Sequence, residues 1–353
     1  MEKARFNPEM LVLAREQRGH TQSHLAKELS TVPSLISKFE RGDVVPTNEN
    51  LERIAEFLDC PVEFFFQTDR IYGLGCSFLF HRRRKTMPQP EQRRLIAKLN
   101  VLRMQIERLL HGMEMDADNS FFRMDVDQHG GPEKIASLVR TAWNLPQGPV
   151  SSVVGAIESA GGLVVAYPFG NSKASGMSWW LPNSLPLFFI NSEMPGDHQR
   201  FTLMHEVGHV IMHRIPHERI EDEANRFAAE FLMPSREIVH DLGALNLERA
   251  AGLKAYWKVS MQAIIRRAID LKKIPKSRFD RLSAQIGAAG YMRNEPLRID
   301  PEQPTLLRQL VNLHLEQSTH TTNTLQKLAL IRNSREFNEL YGSGRSHQIR
   351  IAQ

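Results

Sequence analysis

Residues 200–213, RFTLMHEVGHVIMH, form an apolar segment interrupted by three histidines and one glutamate. At about 100° per residue, an α-helix places Thr202, His205, Glu206, His209 and His213 on one side, and apolar side chains fill most of the remaining circumference. A helix with this pattern lies in a core and presents one polar strip. Because buried polar groups need partners, the strip constrains both the surrounding fold and its chemistry.

The strip has the spacing of a metal site. His205 and His209 are one turn apart on one face, where two imidazoles can bind the same tetrahedral zinc ion, and Glu206 between them is placed to act on a water as general base. This is the HExxH pattern typical of zinc hydrolases. His213 shares the face but lies about 12 Å along the helix from His205, so we expect it outside this ligand set. The alternative is a pair of core histidines without a metal.

The third ligand is predicted on a second helix, IEDEANRFAAEFLMP, which follows a short loop. On its helical wheel Glu221 lies inside the apolar stripe, whereas Glu230 points away and Glu223 lies outside the margin of the stripe. A carboxylate on a buried face needs a cation or hydrogen-bond donors. Glu221 is therefore the predicted ligand and Glu223 the reserve. The alternative for Glu221 is a glutamate favoured only by the dipole of the helix N-terminus.

The first seventy residues predict a compact all-α module. The amphipathic segments MLVLAREQRG, TQSHLAKEL, PSLISKFERG and TNENLERIAEFL alternate with breaks at Gly19, Gly42 and Pro46. The second and third segments each carry one apolar face and are separated by about three residues. This pattern predicts a helix-turn-helix.

The segment TQSHLAKELSTVPSLISKFERG, with the apolar residues that follow it, resembles the Cro/CI-type (XRE family) DNA-binding domain. The resemblance implies a third helix in the major groove and DNA contacts by Gln22, Ser34, Ser37, Lys38 and Arg41, with Gln22 and Arg41 at the backbone. Val32 and Pro33 depart from the family at the start of this helix. Because proline offers no side-chain hydrogen bond, we expect modest sequence discrimination. A protein-interaction domain on the same scaffold is the alternative.

The stretches RFTLMHEVGHVIMH and IEDEANRFAAEFLMP, followed by YWKVSMQAIIRRAIDLKKI and GYMRNEP, resemble the ImmA/IrrE family of metallopeptidases. The resemblance implies a zinc ion held by His205, His209 and Glu221, with Glu206 as general base. The helical wheels lead to the same residues. It also implies a protein substrate, a transcriptional regulator of the repressor type.

The predicted fold is mainly α (α+β), with an all-α helix-turn-helix domain followed by a zincin-like metallopeptidase domain that has a small sheet. The expected boundaries are a DNA-binding domain over 1–68, a basic helical connector over 69–130, a peptidase domain over 131–300 and a helical C-terminal segment over 301–353. Residues 175–181 and 185–191 are predicted strands, bounded by turn residues. An edge strand there would hold an extended substrate by backbone pairing, and ordinary sheet core is the alternative.

The connector contains the basic run HRRRK at 81–85 and a long predicted helix. The helix carries one apolar stripe, formed by Leu95, Leu99, Leu102, Ile106 and Leu109. Such a stripe is typical of burial against one surface. We expect that surface to be a neighbouring domain of the same chain, and the seam of a homodimer is the alternative.

Composition indicates the partners and the cellular compartment of the chain. The 353 residues carry a formal net charge of +5, which favours an acidic polymer such as DNA as a partner. Cys60 and Cys76 are too few for a disulfide framework or a cysteine metal cage and indicate a reducing compartment. No signal peptide or apolar run of membrane-spanning length is evident, so we expect a cytoplasmic protein without a membrane partner.

These features predict a DNA-binding zinc metallo-endopeptidase. Two other hypotheses remain at this stage. The first is a helix-turn-helix transcriptional regulator whose peptidase-like domain senses a ligand or metal without turnover. The second is an N-terminal module that binds another regulator directly, without DNA.

Overall fold

The computed structural model describes residues 5–73, 87–111, 117–170, 174–182, 184–215, 217–292, 294–317 and 321–342. The chain divides into two compact units. The first contains Met1–Gly73, Thr86–Glu114 and Thr305–Gln353, and the second contains Leu74–Lys85 and Met115–Pro304. The basic run at 81–85 and Cys76 lie outside the described residues. In the described part of the chain, no helix combines the length and apolar content needed to cross a bilayer.

The N-terminal part of the first unit is a bundle of short helices. They are α1 (Pro8–Gln17), α2 (Gln22–Glu28), α3 (Pro33–Arg41) and α4 (Asn48–Phe57), followed by a 3-10 turn over Val62–Phe66. Thr21 and Thr47 begin α2 and α4 by accepting hydrogen bonds from backbone amides of the first turn. Helix α3 ends at Gly42, whose φ of 76° is a left-handed conformation that glycine adopts without strain.

Helix α5 (Gln89–Leu109) continues the first unit. One face of α5 contributes Ala97, Val101 and Met104 to the core of the N-terminal bundle. The predicted stripe, Leu95, Leu99, Leu102, Ile106 and Leu109, is also buried within the chain. The connector helix therefore carries buried apolar residues on two roughly opposite faces, which fits a helix packed between neighbours.

The second unit begins with α6 (Pro132–Ala142) and α7 (Val153–Ser159) and then forms a three-stranded sheet. Its strands are β1 (Leu163–Tyr167), β2 (Gly176–Trp179) and β3 (Leu187–Asn191). Strand β3 lies in the middle, parallel to β1 and antiparallel to β2, with Ser178 opposite Phe188. Every residue of β3 is buried, as a central strand requires.

Six α-helices and a 3-10 turn over Val239–Asp241 complete the second unit within its described residues. The α-helices are α8 (Gly196–Met212), α9 (Ile220–Leu232), α10 (Ser235–Ile238), α11 (Leu247–Trp257), α12 (Met261–Asp270) and α13 (Lys276–Ala288). Helix α8 packs against β2 and α9. Its contact with α9 depends on Gly208, where a Cβ atom would lie 3.2 Å from Phe227 Cδ1 and 3.3 Å from Ala224 Cα. The absence of a side chain at Gly208 allows this close approach.

The C-terminal helices return to the first unit. They are α14 (Leu306–Gln317), α15 (Thr322–Leu328) and α16 (Ser334–Tyr341). The Tyr341 hydroxyl donates to Gln105 Oε1 at 2.9 Å, and Lys98 Nζ lies 2.8 Å from Glu336 Oε1. These contacts attach α16 to α5. Together the two units confirm the predicted class, an N-terminal helical domain followed by a mainly helical domain with a small sheet.

Candidate metal centre

Helix α8 brings the polar strip of the HExxH segment into the core of the second unit. His205, Glu206 and His209 are all buried, and Glu206 is only 1% exposed. Apolar neighbours on the same helix, such as Leu203, Met204 and Val207, anchor it in that core. Its tight packing therefore fixes the direction in which each polar side chain points.

His205, His209 and Glu221 meet in what we call the inner cluster. The two Nε2 atoms of the histidines lie 3.0 Å apart. Glu221 Oε1 lies 3.2 Å from His209 Nε2, and Glu221 Oε2 lies 3.6 Å from His205 Nε2. Ligand atoms of a tetrahedral zinc ion are roughly 3.3 Å apart, given zinc–nitrogen bonds of about 2.0–2.1 Å. These three residues therefore fit a zinc ion in both donor type and spacing.

The inner cluster lies inside a segment that matches a known protein family. Residues 157–268 match the family model for peptidase M78, the IrrE N-terminal-like domain, and residues 11–65 match the helix-turn-helix model. The chain joins a helix-turn-helix domain to an IrrE-like peptidase domain. No curated protein matches the chain. Both matches confirm the architecture that the motifs predict.

In the IrrE-like domain, neighbouring side chains orient the imidazole rings. His205 Nδ1 lies 3.0 Å from Asn225 Oδ1, so the ring can donate there while its Nε2 atom faces His209 and Glu221. Asn225 is one helical turn beyond Glu221 on α9. Sequence reasoning missed Asn225, although its place at the i+4 position from a predicted ligand was an available signal. Such partners fix the tautomer and orientation of a metal-binding histidine.

Glu206 does not join the inner cluster but faces strand β2. Ser178 Oγ donates a 2.7 Å hydrogen bond to Glu206 Oε2, and both residues are buried. Strand and helix are close because position 176 is glycine, where a Cβ atom would lie 2.7 Å from Thr202 Cγ2. Ser178 therefore holds one oxygen of the carboxylate. Sequence reasoning missed it, although it is a polar residue within the apolar run GMSWW.

A second group of side chains, the outer cluster, lies next to the inner one. His213 Nδ1 lies 2.9 Å from His209 Nδ1, and His213 Nε2 lies 3.1 Å from Glu223 Oε2. His217 Nε2 lies 3.6 Å from the same Glu223 oxygen. Burial, with smaller contributions from His209 and His217, lowers the pKa of His213 to about 3, so its ring is neutral at pH 7. The reserve ligand Glu223 thus pairs with His213 and His217 instead of joining His205 and His209.

Glu230 was expected to point away from the core, and this expectation is wrong. Its side chain is buried and forms an ion pair with Arg267 of α12. Glu230 Oε1 also accepts a hydrogen bond from the Ser235 backbone amide at 3.0 Å. The wheel of α9 alone could not reveal a cationic partner on another helix, and that partner is what permits burial.

The predicted DNA-contacting residues lie on α2 and α3 of the helix-turn-helix domain. Ser34, Lys38 and Arg41 are exposed, and Ser37 is half-buried. Arg41 donates to Asp43 Oδ2 at 2.8 Å and to Ser37 Oγ at 2.9 Å.

Gln22 donates its amide to Glu40 Oε2 at 2.7 Å, so its amide group already has a partner within the domain. Val32 is 58% exposed and gives α3 no side-chain cap. Lys38 is exposed on α3, and its contact with DNA stays a prediction.

Proposed function

We propose that the protein is a zinc-dependent metallo-endopeptidase that binds DNA and cleaves a transcriptional regulator of the repressor type. One observation carries the proposal. The Nε2 atoms of His205 and His209 lie 3.0 Å apart, each is within 3.6 Å of a carboxylate oxygen of Glu221, and the residue after His205 is the buried Glu206. The peptidase-family match over residues 157–268 includes all four side chains.

His205, His209 and Glu221 would hold the ion, which would supply Lewis acidity toward water and the peptide carbonyl. Glu206 accepts the proton of the attacking water and later delivers it to the leaving amine. Ser178 keeps the Glu206 carboxylate in place by donating to its Oε2 atom. Hydrolysis in this scheme needs no nucleophilic side chain of the protein.

Strand β2 supports an extended protein substrate. Among the described strands it lies at one edge of the sheet, antiparallel to β3, and its residue Ser178 contacts Glu206. A substrate strand that paired with its outer edge would pass close to the proposed general base. A flexible loop of a regulator protein meets this requirement.

The helix-turn-helix domain supports the choice of a DNA-associated substrate. It matches its family model over residues 11–65, and α3 presents Lys38 toward solvent. A DNA-bound enzyme would meet a regulator on the same DNA at a raised local concentration, in the millimolar range for a short connection. We propose that the domain directs the enzyme to its substrate.

Cleavage by the full-length, zinc-loaded protein tests this function. Candidate repressors are incubated with the wild type, with Glu206→Gln and with Glu248→Gln, which changes an exposed glutamate on α11. We expect Glu206→Gln to keep its zinc and slow cleavage by about 10²–10⁴-fold, because only the general base is lost. Glu248→Gln should cleave at the wild-type rate.

Cleavage by Glu206→Gln at the wild-type rate contradicts the mechanism. If no repressor is cut but zinc changes DNA affinity, the metal-sensing regulator becomes the better account.

A further inference from the structure

The outer cluster repeats the donor set of the inner cluster. Each has two histidines four residues apart and one glutamate from the first turn of α9. His205, His209, His213 and His217 follow one another at a spacing of four, while Glu221 serves the first pair and Glu223 the second. The same side-chain chemistry that fits zinc in the inner cluster is therefore present twice.

The donor atoms of the outer cluster are close enough for one ion. One ligand atom from each of His213, His217 and Glu223 lies within 4.8 Å of the others. Glu223 Oε2 is 3.1 Å from His213 Nε2 and 3.6 Å from His217 Nε2, distances similar to those in the inner cluster. His217 lies between α8 and α9, outside both helices.

Burial and access also suit a metal ion. The side chains of His213 and Glu223 are 0% and 5% exposed, whereas that of His217 is 43% exposed. Arg219 Nε, on a largely exposed side chain, lies 3.7 Å from Glu223 Oε1, which leaves Oε2 directed at the two rings. A cation stabilises a buried carboxylate that lies beside two imidazoles. The partly exposed His217 lets an ion reach the site from solvent.

We propose that His213, His217 and Glu223 form a second site for a divalent transition metal ion of the zinc class. Two imidazole nitrogens and one carboxylate oxygen match the ligand preference of Zn²⁺, Co²⁺ and Ni²⁺ rather than that of Mg²⁺ or Ca²⁺. The site has its own three ligands, distinct from those of the inner cluster. The proposal does not depend on whether the chain cleaves a protein.

The contact between His209 Nδ1 and His213 Nδ1 connects the two sites. A neutral imidazole carries one ring proton. In this hydrogen bond one ring donates from Nδ1, so its Nε2 atom carries no proton. The other ring accepts at Nδ1 and therefore carries its proton on Nε2. Either His209 or His213 can then offer Nε2 to a metal, unless the hydrogen bond breaks. An ion at the outer site therefore weakens binding at the inner one, and the outer site is measured most cleanly with the inner ligands removed.

The test uses the full-length chain with His205→Ala and Glu221→Ala, which removes the inner site. Equilibrium dialysis against Zn²⁺, with circular dichroism to verify folding, should find one zinc ion per chain. Adding His217→Ala should weaken this binding by at least about tenfold, since even partners outside the ligand set contribute 10–100-fold to metal affinity. His240→Ala, which changes an exposed histidine elsewhere, should leave it unchanged.

A folded inner-site variant that binds no zinc overturns the proposal, as does equal zinc affinity with and without His217→Ala. If the double variant does not fold, the single variant Glu221→Ala, in which the inner site is weakened, is compared with and without His217→Ala at saturating Zn²⁺. Less bound zinc in the chain that also carries His217→Ala supports the second site, and equal uptake overturns it. An error in the inner-site assignment gives a different result. In that case a chain that carries His217→Ala keeps its zinc when Glu221 is also changed to alanine.

Discussion

The hydrogen bond from Ser178 to Glu206 predicts the effect of a single hydroxyl on catalysis. At 2.7 Å, with Glu206 1% exposed, it is a buried hydrogen bond to a charged acceptor. Bonds of this kind contribute about 1.5–3 kcal/mol. If the bond orients the carboxylate in the transition state, Ser178→Ala should lower kcat/KM by about 10- to 100-fold, since about 1.4 kcal/mol corresponds to a factor of ten.

The assay follows regulator cleavage over time and measures bound zinc in the same samples. Ser178→Ala should keep its zinc because the Ser178 hydroxyl bonds to Glu206, which is not one of the proposed ligands. Ser137→Ala is a matched control, since its hydroxyl bonds only within α6 to the Glu133 carbonyl. Full turnover in zinc-loaded Ser178→Ala refutes the positioning role of Ser178, and so does a loss of activity explained entirely by lost zinc.

Three further predictions concern the first unit. Lys38→Ala with Arg41→Ala should weaken DNA binding and lower the salt slope by about two, because each lost phosphate contact removes about 0.9; equal affinity at low salt in fluorescence anisotropy contradicts DNA contact. Burial raises the pKa of Cys60 to about 12. In a Cys76→Ser chain, iodoacetamide at pH 8 should therefore label Cys60 only after unfolding. Rapid labelling of the native chain contradicts this prediction. Partial burial raises the pKa of Glu336, but Lys98 and Arg18 outweigh it and leave a pKa below the ordinary 4.5. Glu336→Gln should therefore cost on the order of 1 kcal/mol at pH 7, and urea unfolding should show this difference shrinking as pH falls below 4.5; a constant difference contradicts it.

Local periodicity was enough to predict the helices and the inner cluster. The spacing of His205 and His209 places both rings on one face of any α-helix, and the apolar stripe of α9 predicts Glu221 on its buried side. The structure brings these three side chains together. Their role as zinc ligands stays a prediction.

Contacts between elements distant in sequence could not be predicted in this way. Ser178 reaches Glu206 from another element, and Glu230 is buried because Arg267 lies opposite it on α12. The helical wheel of α9 places Glu223 outside the margin of the apolar stripe. The partner of Glu223 is His213 at the end of α8, and the wheel of α9 contains no residue of α8. A helical wheel describes one helix and its apolar side, whereas the partner of each buried polar group depends on tertiary packing.

The attachment of α16 to α5 is a second case. Tyr341 and Gln105 are more than two hundred residues apart, and each lies on a helix whose pattern only requires some apolar surface. The sequence therefore predicts that such helices are buried, but not against which neighbour.

Zinc content with Glu221 changed tests the central claim most directly. The parent chain carries His217→Ala, so that the outer cluster does not contribute, and Asp222→Ala serves as a control at the neighbouring, largely exposed carboxylate. After dialysis, elemental analysis should find one zinc ion per chain in the parent and in Asp222→Ala, and strongly reduced zinc in Glu221→Ala. Undiminished zinc in Glu221→Ala would contradict a centre formed by His205, His209 and Glu221.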